Sequence, residues 1–276
     1  MIRFIPADGC LDLAQALDCG QAFRWQPVLL PCGTQAWRGV AFGRVLTVWQ
    51  EDGTFCFDCT QTEFDEIWFS YFDFGADYAA VRTALSGLHP VLQEAAQYAP
   101  GIRILRQEPW EALCAFIISQ NNNIPRIKGI IERLCALLGE PIPCGKETQY
   151  AFPTPQRLAA CTVEELQPLR AGFRAKYLID AANRVSSGAI NLSALCTLPV
   201  CEAREKLMTI HGVGPKVADC ALLYGLHRTC CFPMDVWMKR AMTLLPGVDP
   251  VDLGENAGVA QQYIFHYSRM HPELFR

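Results

Sequence analysis

The sequence has little positive charge, no long apolar run and no low-complexity segment. Its 24 Lys and Arg residues are outnumbered by 28 Asp and Glu residues, and the formal net charge of −4 argues, taken alone, against a nucleic-acid partner. No apolar run approaches the roughly 18 residues of a membrane-spanning helix. The first residues also lack the apolar stretch of a signal peptide. These absences predict a cytoplasmic protein without a membrane partner.

Paired cysteine motifs are scarce, although the chain contains 14 cysteines. The cysteines are scattered, and several lie within apolar helical patterns, which is typical of a reducing compartment rather than of a disulfide scaffold. Cys56 and Cys59 form the single C-x-x-C pair. Because no second pair follows at zinc-finger spacing, and alternate residues around it indicate a strand, we expect no metal there. No cofactor is expected.

Charge is divided unevenly along the chain. Residues 1–100 carry 5 Arg and no Lys against 12 acidic residues, whereas residues 101–276 carry 19 basic and 16 acidic residues. We therefore expect any contact with DNA to lie in the second part, with backbone donors contributing as well as charged side chains.

Hydrophobic residues make up 51% of the chain, which is enough for a sizeable core. Aromatic and β-branched residues predict strands at 37–42, 44–50 and 54–59, and Asp52-Gly53 supplies a hairpin turn between the last two. Apolar periodicity then predicts helices at 63–71, 77–86, 91–98, 173–187, 200–208, 216–224, 236–244 and 255–269. The fold class is therefore α+β: an amino-terminal antiparallel β-sheet domain with helices (residues 1–100) packed on an all-α body (residues 101–276).

A glycine hairpin at about 200–225 is the most informative segment. Gly212, Val213 and Gly214 separate two predicted helices, and the second helix begins at Pro215. The unpaired N–H groups at the start of a helix are a seat for a phosphate, which is how a helix-hairpin-helix module holds DNA without reading its sequence. An ordinary helix connection with a glycine cap is the alternative.

Two polar residues favour the first interpretation. Lys216 lies in the first helical turn, where the helix dipole disfavours its charge and favours the neutral amine that a nucleophile needs. Cys220 is one turn further on and projects to the same face. Asp235 precedes another predicted helix, where it fits an ordinary N-cap and also a fixed carboxylate that supports positive charge on a sugar.

These segments resemble the helix-hairpin-helix DNA glycosylases, in which a hairpin lysine and an aspartate about twenty residues later define the bifunctional enzymes. The resemblance implies Lys216 and Asp235 as catalytic residues and the hairpin backbone as a phosphate contact. The branch with a four-cysteine iron–sulfur loop after this point does not fit, because the last cysteine is Cys231.

Three further strings resemble 8-oxoguanine DNA glycosylase and imply its substrate pocket: residues 20–25 (GQAFRW), 101–127 with its Asn121-Asn122-Asn123 turn, and 258–265. The resemblance implies removal of 8-oxoguanine opposite cytosine from double-stranded DNA, strand cleavage by β-elimination, and a monomer. A pocket for the damaged base is implied at Gly20, Cys220, Gln261 and Phe265. Contacts to the opposite base are implied at Asn121, Arg126, Phe173 and Arg174.

Several alternatives remain open at this stage. Gly20 fits a turn before a buried Phe–Trp pair, and Cys220 and Phe265 fit a hydrophobic core. Trp237 stands where the human-type enzymes have a phosphate-contacting histidine, which alters a phosphate contact. Phe173 replaces a wedge tyrosine, which puts strict selection of cytosine in doubt. The resemblance alone implies a cation on the hairpin carbonyls of Met208, Ile210 and Val213. A glycosylase for another lesion and a non-catalytic DNA-binding module are the competing functions.

Overall fold

The computed structural model describes residues 1–145 and 147–275. Its main sheet is antiparallel, with five strands in the order β1-β5-β4-β3-β2. These strands are β1 Ile2–Phe4, β2 Trp25–Leu29, β3 Gln35–Ala41, β4 Arg44–Glu51 and β5 Thr54–Phe57. The three predicted strands are confirmed as β3, β4 and β5. Between the last two, Asp52 and Gly53 have φ values of 49° and 74°, the paired positive angles of a type I′ turn.

Strands β1 and β2 lie outside the predicted segments. β1 has three residues, too few for a sequence pattern to develop. β2 contains Pro27 and lies at the edge of the sheet, the position in which a strand tolerates proline. A second antiparallel pair, β6 Pro141–Cys144 with β7 Glu147–Tyr150, is also absent from the prediction.

Helices account for most of the rest of the chain, as the periodicity predicts. The α-helices are α1 Leu13–Leu17, α2 Gln61–Glu63, α3 Phe69–Tyr71, α4 Tyr78–Ser86, α5 Pro90–Tyr98, α6 Pro109–Ser119, α7 Ile124–Leu138, α8 Pro155–Ala159, α9 Arg174–Ser186, α10 Val200–Met208, α11 Pro215–Cys220, α12 Val236–Met242 and α13 Ala257–Met270. Two π-helical segments, Phe64–Trp68 and Ala221–Gly225, follow α2 and α11 without a break. Short 3-10 helices lie at Gln167–Leu169, Ala194–Thr197, Gly254–Asn256 and Pro272–Phe275.

The main sheet buries one face against the helical segment at 61–71. Trp25, Phe57 and Trp68 are almost completely buried there. The Trp25 indole N–H donates to the Tyr71 hydroxyl at 2.7 Å, so that this polar group is satisfied inside the core. This packing fixes β2, and with it the end of the chain segment that carries Gly20.

A second and larger core lies between the helices, with α6 at its centre. Eight of the α6 residues are buried, so the helix is apolar all round, as expected of a helix enclosed by others. Tyr78, Leu85 and Leu92 from α4 and α5 pack into this core too. The α+β architecture is confirmed, with the sheet on one side of a helical body; the domain boundary at residue 100 stays a prediction.

Two kinds of feature are absent from the described residues. No helix within 1–145 or 147–275 is long and apolar enough to cross a membrane. In that same part of the chain no group of three or more His, Cys, Asp or Glu side chains is arranged to hold a metal ion. Cys56 is buried in β5 and Cys59 is partly buried just beyond it, both as free thiols.

Candidate active site

A small cavity of about 40 Å³ lies where α11, α13, α6 and the loop before β2 meet. Each of the residues that the sequence analysis assigned to catalysis or to the base pocket contributes to its wall. The lining residues are Gly20, Phe116, Lys216, Cys220, Tyr224, Pro233, Asp235, Gln261 and Phe265. Residues from distant parts of the chain are therefore brought together at one site.

Lys216 enters this cavity from the first turn of α11. Its Nζ lies 3.4 Å from the Ser119 hydroxyl and 5.3 Å from the centroid of the Phe116 ring. One turn later, Cys220 forms part of the same wall. Burial raises the pKa of the Cys220 thiol to about 11, although the neighbouring Lys216 acts in the opposite direction. The thiol therefore stays neutral, and it gives the cavity a small apolar surface beside the amine.

Asp235 is the N-cap that the sequence allowed, and its position also suits the proposed catalytic role. It is the N-cap of α12, and its Oδ1 accepts a hydrogen bond of 2.7 Å from the Met238 backbone N–H. The same side chain lines the cavity with Lys216. Because the cap holds the carboxylate in one place, it is available there as a fixed negative charge.

Gln261 and Phe265 lie one turn apart on α13 and face the cavity together, as their spacing predicts. Gln261 is 5% exposed. Its Oε1 lies 3.2 Å from the hydroxyl of Tyr224, a residue that the sequence analysis did not select. Burial raises the pKa of Tyr224 well above its ordinary value, so the phenol keeps its proton.

Gly20 is in the left-handed region with φ +95°, and it lies directly against the Phe265 ring. A Cβ added at this position would be 3.2 Å from Phe265 Cε1 and 3.4 Å from Ile124 Cδ1. Both the backbone angle and the close approach therefore require glycine. The contact also sets the distance between the Gly20 backbone and the ring across the cavity.

The carbonyl groups around Gly20 are all occupied except its own. Among the described residues no hydrogen bond is made to the Gly20 oxygen, whereas each neighbouring oxygen accepts one from a side chain. Arg269 donates to Asp18 at 2.9 Å, Gln262 donates to Cys19 at 3.0 Å, and Gln107 donates to Gln21 at 2.8 Å. The loop is thus held from several sides while one acceptor at the cavity wall stays free.

Gln21 anchors this loop from beneath. Its side chain is completely buried. The amide nitrogen donates to the carbonyls of Ala16 at 3.0 Å and Arg103 at 2.7 Å, and the amide oxygen accepts from the Leu105 N–H at 2.8 Å. The glutamine after Gly20 is therefore a positioning residue, a role that the sequence string alone did not reveal.

The glycine hairpin follows the expected helix-hairpin-helix arrangement between α10 and α11. Gly212 has φ +80°, and a Cβ there would overlap the Tyr177 ring from α9, so this position also requires glycine. The Val213 N–H donates to the Ile210 carbonyl at 3.0 Å and closes the turn. Gly214 is the N-cap of α11 without a side-chain hydrogen bond, and open space surrounds its Cα. The cation expected on the carbonyls of Met208, Ile210 and Val213 stays a prediction.

The residues assigned to the opposite base also lie together, on an outer face. Asn121 is exposed in a left-handed turn with φ 47°. Arg174 is 3% exposed, and its guanidinium donates to the carbonyls of Gln120 and, at 3.1 Å, of Asn121. The guanidinium carbon also lies 4.5 Å from the centroid of the Phe173 ring. Burial and the nearby charge of exposed Arg126 lower the pKa of Arg174.

A wider groove of about 670 Å³ adjoins the cavity and shares Asp235 and Phe265 with it. Trp237 forms another part of the groove and is 44% exposed. The Arg240 guanidinium lies 5.7 Å from the centre of its ring system. Lys216 and Asp235 therefore line one cavity, and that cavity adjoins a groove large enough for a nucleotide.

Comparison with protein families matches two models in succession. Residues 4–113 match the N-terminal domain of 8-oxoguanine DNA glycosylase. Residues 114–257 match the HhH-GPD superfamily of base excision DNA repair proteins. The second match begins within α6 and contains the hairpin, Lys216 and Asp235.

Individual relatives cover the chain to different extents. The N-glycosylase/DNA lyase OGG1 of Arabidopsis thaliana is 30% identical over 92% of this chain and 76% of its own length. The N-glycosylase/DNA lyase of Saccharomyces cerevisiae is 42% identical over 51% of this chain, and the alignment spans only 40% of the yeast protein.

A solved structure of similar shape is that of the 8-oxoguanine glycosylase/lyase of Clostridium acetobutylicum, in complex with double-stranded DNA containing cytosine opposite 8-oxoG. It is 36% identical and superposes with a TM-score of 0.87, over 95% of this chain and 93% of that one. The sheet, the helical body and the hairpin are thus matched as one continuous unit.

Proposed function

The chain belongs to the 8-oxoguanine DNA glycosylases of the helix-hairpin-helix superfamily, and from this premise we propose that it is a bifunctional glycosylase and AP lyase of base-excision repair. Its substrate is double-stranded DNA that contains 8-oxoguanine opposite cytosine, and it acts as a monomer. The observation that carries the proposal is the cavity in which Lys216, Asp235 and the base-pocket residues meet.

Lys216 is the nucleophile of the proposed reaction. Its neutral amine forms a bond to C1′ of the damaged nucleotide, and the bond between C1′ and N9 of the base breaks. The base leaves with the bonding electrons and takes up a proton. Asp235 supports the positive charge that develops on the sugar while this bond is breaking.

Strand cleavage follows from the same covalent intermediate. Opening of the sugar gives an imine between Lys216 and C1′, which acidifies the hydrogens on C2′. Loss of one C2′ proton and of the 3′ phosphate then completes a β-elimination. The nitrogen of Lys216 withdraws electrons in this step, and hydrolysis of the imine releases the enzyme.

The pocket recognises the base after it has been extruded from the duplex. The free Gly20 carbonyl accepts a hydrogen bond from N7–H of 8-oxoguanine and faces a bare N7 lone pair in guanine, a discrimination on the order of 1–3 kcal/mol. Cys220 and Phe265 enclose the base from its two faces, and the Gln261 amide contacts its Watson–Crick edge.

The rest of the DNA is held by two other parts of the molecule. Backbone N–H groups of Gly212, Val213 and Gly214 bind a phosphate of the damaged strand, with open space at Gly214 for the approach. Asn121 and Phe173 fill the gap that the extruded nucleotide leaves in the base stack. Arg126 and Arg174 read the cytosine, because the planar guanidinium fork matches base acceptors.

Trapping the imine with borohydride tests the proposal most directly. Wild-type protein is incubated with borohydride and a duplex containing 8-oxoguanine opposite cytosine, and the covalent adduct is quantified on a denaturing gel. We expect a strong adduct for wild type and for the control Lys206→Gln, because Lys206 is exposed on α10. Lys216→Gln is expected to give no adduct, no base release and no strand cleavage while still binding the duplex.

Two results would contradict parts of this proposal. Base release by wild type without any adduct would remove the Schiff base. Excision of other lesions but not of 8-oxoguanine across a panel of duplexes would change the substrate. Tight binding to undamaged DNA with no base release from any duplex would instead favour a non-catalytic module.

A further inference from the structure

The hydroxyl of Tyr224 lies between two glutamine side chains of α13. Its oxygen is 2.6 Å from Gln262 Oε1 and 3.2 Å from Gln261 Oε1. A phenol carries one hydrogen and can donate it to only one of these two acceptors. The second hydrogen bond must therefore run in the opposite direction, with the phenol oxygen as the acceptor.

The orientation of Gln262 decides which glutamine receives the hydrogen. Gln262 is 1% exposed, and its Nε2 donates to the Cys19 carbonyl at 3.0 Å. Its Oε1 is thereby directed at Tyr224, and the short distance of 2.6 Å requires the phenolic hydrogen between the two oxygens. Turning the Gln262 amide over would set two oxygens against each other at Cys19 and leave a buried acceptor unpaired.

Gln261 must then turn its amide so that Nε2 donates to the Tyr224 oxygen, because the phenolic hydrogen is already committed. No hydrogen bond of Gln261 within the described part of the chain opposes this rotation, since its contact with Tyr224 is the one that the structure contains. In that state Gln261 Oε1 is left as an acceptor without a partner among the described residues, on a side chain that lines the same cavity as Gly20.

We propose that Tyr224 and Gln262 are positioning residues, which together fix the Gly20 carbonyl and the Gln261 amide as two acceptors for one purine. This inference rests on the proposed function and adds to it the residues that select a guanine-type Watson–Crick edge. 8-Oxoguanine carries hydrogen on N7, N1 and N2, so both acceptors are satisfied. 8-Oxoadenine carries the N7 hydrogen but has a bare N1, which repels the Gln261 oxygen.

The hydrogen bonds that link Gln262, Tyr224 and Gln261 form a chain, which we call the relay. The ring of Tyr224 at its centre is held in place by packing. It stacks on Phe116 with ring centroids 5.1 Å apart and planes 18° apart. Phe116 in turn lies beneath the Lys216 amine. Replacement of Tyr224 by phenylalanine preserves this stacking and removes only the hydroxyl, which isolates the hydrogen bonds from the packing.

The experiment compares three substrates under single-turnover conditions: duplexes with 8-oxoguanine, with 8-oxoadenine, or with a preformed abasic site. The abasic duplex needs Lys216 but has no base to recognise. For Tyr224→Phe we expect 8-oxoguanine excision to fall roughly tenfold relative to abasic cleavage, the loss typical of one buried hydrogen bond. 8-Oxoadenine excision is expected to rise relative to 8-oxoguanine excision, because the Gln261 amide is then free to turn over.

Two further variants complete the design. Tyr263→Phe is the matched control, because this buried tyrosine follows Gln262 directly on α13 and, among the described residues, its hydroxyl has no hydrogen-bond partner. No change in either excision rate is expected. Gln262→Met breaks the same relay at its other end. The double variant Tyr224→Phe/Gln262→Met is expected to lose no more than the worse single variant, since both break one chain of contacts.

The outcomes separate this inference from the proposed function. If wild type fails to excise 8-oxoguanine, the function itself is wrong. If wild type is active and Tyr224→Phe keeps the wild-type ratio of 8-oxoguanine excision to abasic cleavage, the relay is overturned. An equal fall for all three substrates would assign Tyr224 to folding alone and would overturn it as well.

Discussion

The base pocket and the opposite-base face are built in contrasting ways. In the pocket, the protein fixes the backbone around the polar groups that would meet the base and leaves those groups without a partner. Among the described residues the Gly20 carbonyl accepts no hydrogen bond, whereas the carbonyls of its neighbours accept hydrogen bonds from side chains. On the outer face, the polar group already has partners within the protein. The Arg174 guanidinium donates to the carbonyls of the Asn121 turn, and Asn121 and Phe173 are exposed.

The difference teaches which region is ready for its ligand. The Gly20 carbonyl has no partner within the described residues to give up before it meets a ligand, because the side chains around it donate to the neighbouring carbonyls. If Arg174 reads cytosine as proposed, it must first exchange backbone carbonyls for base acceptors. We therefore expect substitutions in the pocket to change the chemical step, and substitutions on the outer face to change selection of the opposite base.

After the complete loss expected for Lys216→Gln, the largest expected effect lies in the pocket, at Asp235. Asp235→Asn preserves a good N-cap for α12 but removes the negative charge beside Lys216. We expect kcat for base excision to fall by about 10²–10³-fold, the size of effect found when one electrostatic group is lost from a transition state. Single-turnover base release measures it.

A companion variant separates the charge from the cap. Asp235→Ala loses both, so it should match Asp235→Asn in rate and in addition lower the free energy of unfolding by about 1 kcal/mol. If Asp235→Asn retained the wild-type rate, Asp235 would be a cap and nothing more, and the contrast between the two regions would lose its strongest support.

A smaller effect is expected on the outer face, at Arg174. Arg174→Ala leaves the carbonyls of the Asn121 turn without their donor, and we expect the free energy of unfolding to fall by about 2 kcal/mol. The preference for cytosine over the other opposite bases should fall roughly tenfold. Chemical denaturation and excision from four duplexes that differ in the opposite base measure these two quantities.

Arg126→Ala is the matched comparison for Arg174. Arg126 is exposed, so its removal should change the free energy of unfolding by less than about 0.5 kcal/mol while still weakening selection of cytosine. A large loss of stability at Arg126, or none at Arg174, would contradict the division of roles that the contacts indicate.

The smallest effect concerns the pH dependence of stability, and it is expected at His266 on α13. Burial, assisted by the charge of Arg269, lowers the pKa of His266 to about 4. An unfolded histidine takes up its proton near pH 6.5. The stability that His266 contributes is therefore complete above that pH and is lost as the pH falls towards 4.

His266→Phe removes this titration and keeps a ring on α13. Between pH 7.5 and 5.5 we expect wild type to lose about 1 kcal/mol more of its free energy of unfolding than the variant does. Denaturant titrations at the two pH values give the comparison. Identical slopes for the two proteins would show that His266 is as accessible to protons in the folded chain as in the unfolded one.

The sequence predicted much of this arrangement because several signals are local. Lys216 follows its glycine hairpin directly, Gln261 and Phe265 are one helical turn apart, and Asp52-Gly53 marks its own turn. Such patterns need no knowledge of distant contacts, and the structure contains each of them.

What the sequence did not predict depends on contacts between distant residues. Gln262 and Cys19 are 243 positions apart, so no local pattern marks their hydrogen bond. The sequence around Tyr224 indicates only an aromatic residue in a buried helix. Its role depends on contacts with α13, which no local pattern marks. The inward direction of the Arg174 guanidinium likewise depends on a turn more than fifty residues earlier in the chain.

Helix α9 begins beside the opposite-base face and, one turn later, presents the Tyr177 ring to Gly212. If Arg174 reads the opposite base and the hairpin binds a phosphate of the damaged strand, as proposed, one helix sets the spacing between these two contacts. On the proposed function, a duplex must conform to that fixed span, and nucleic acid of a different width would satisfy one contact only by giving up the other.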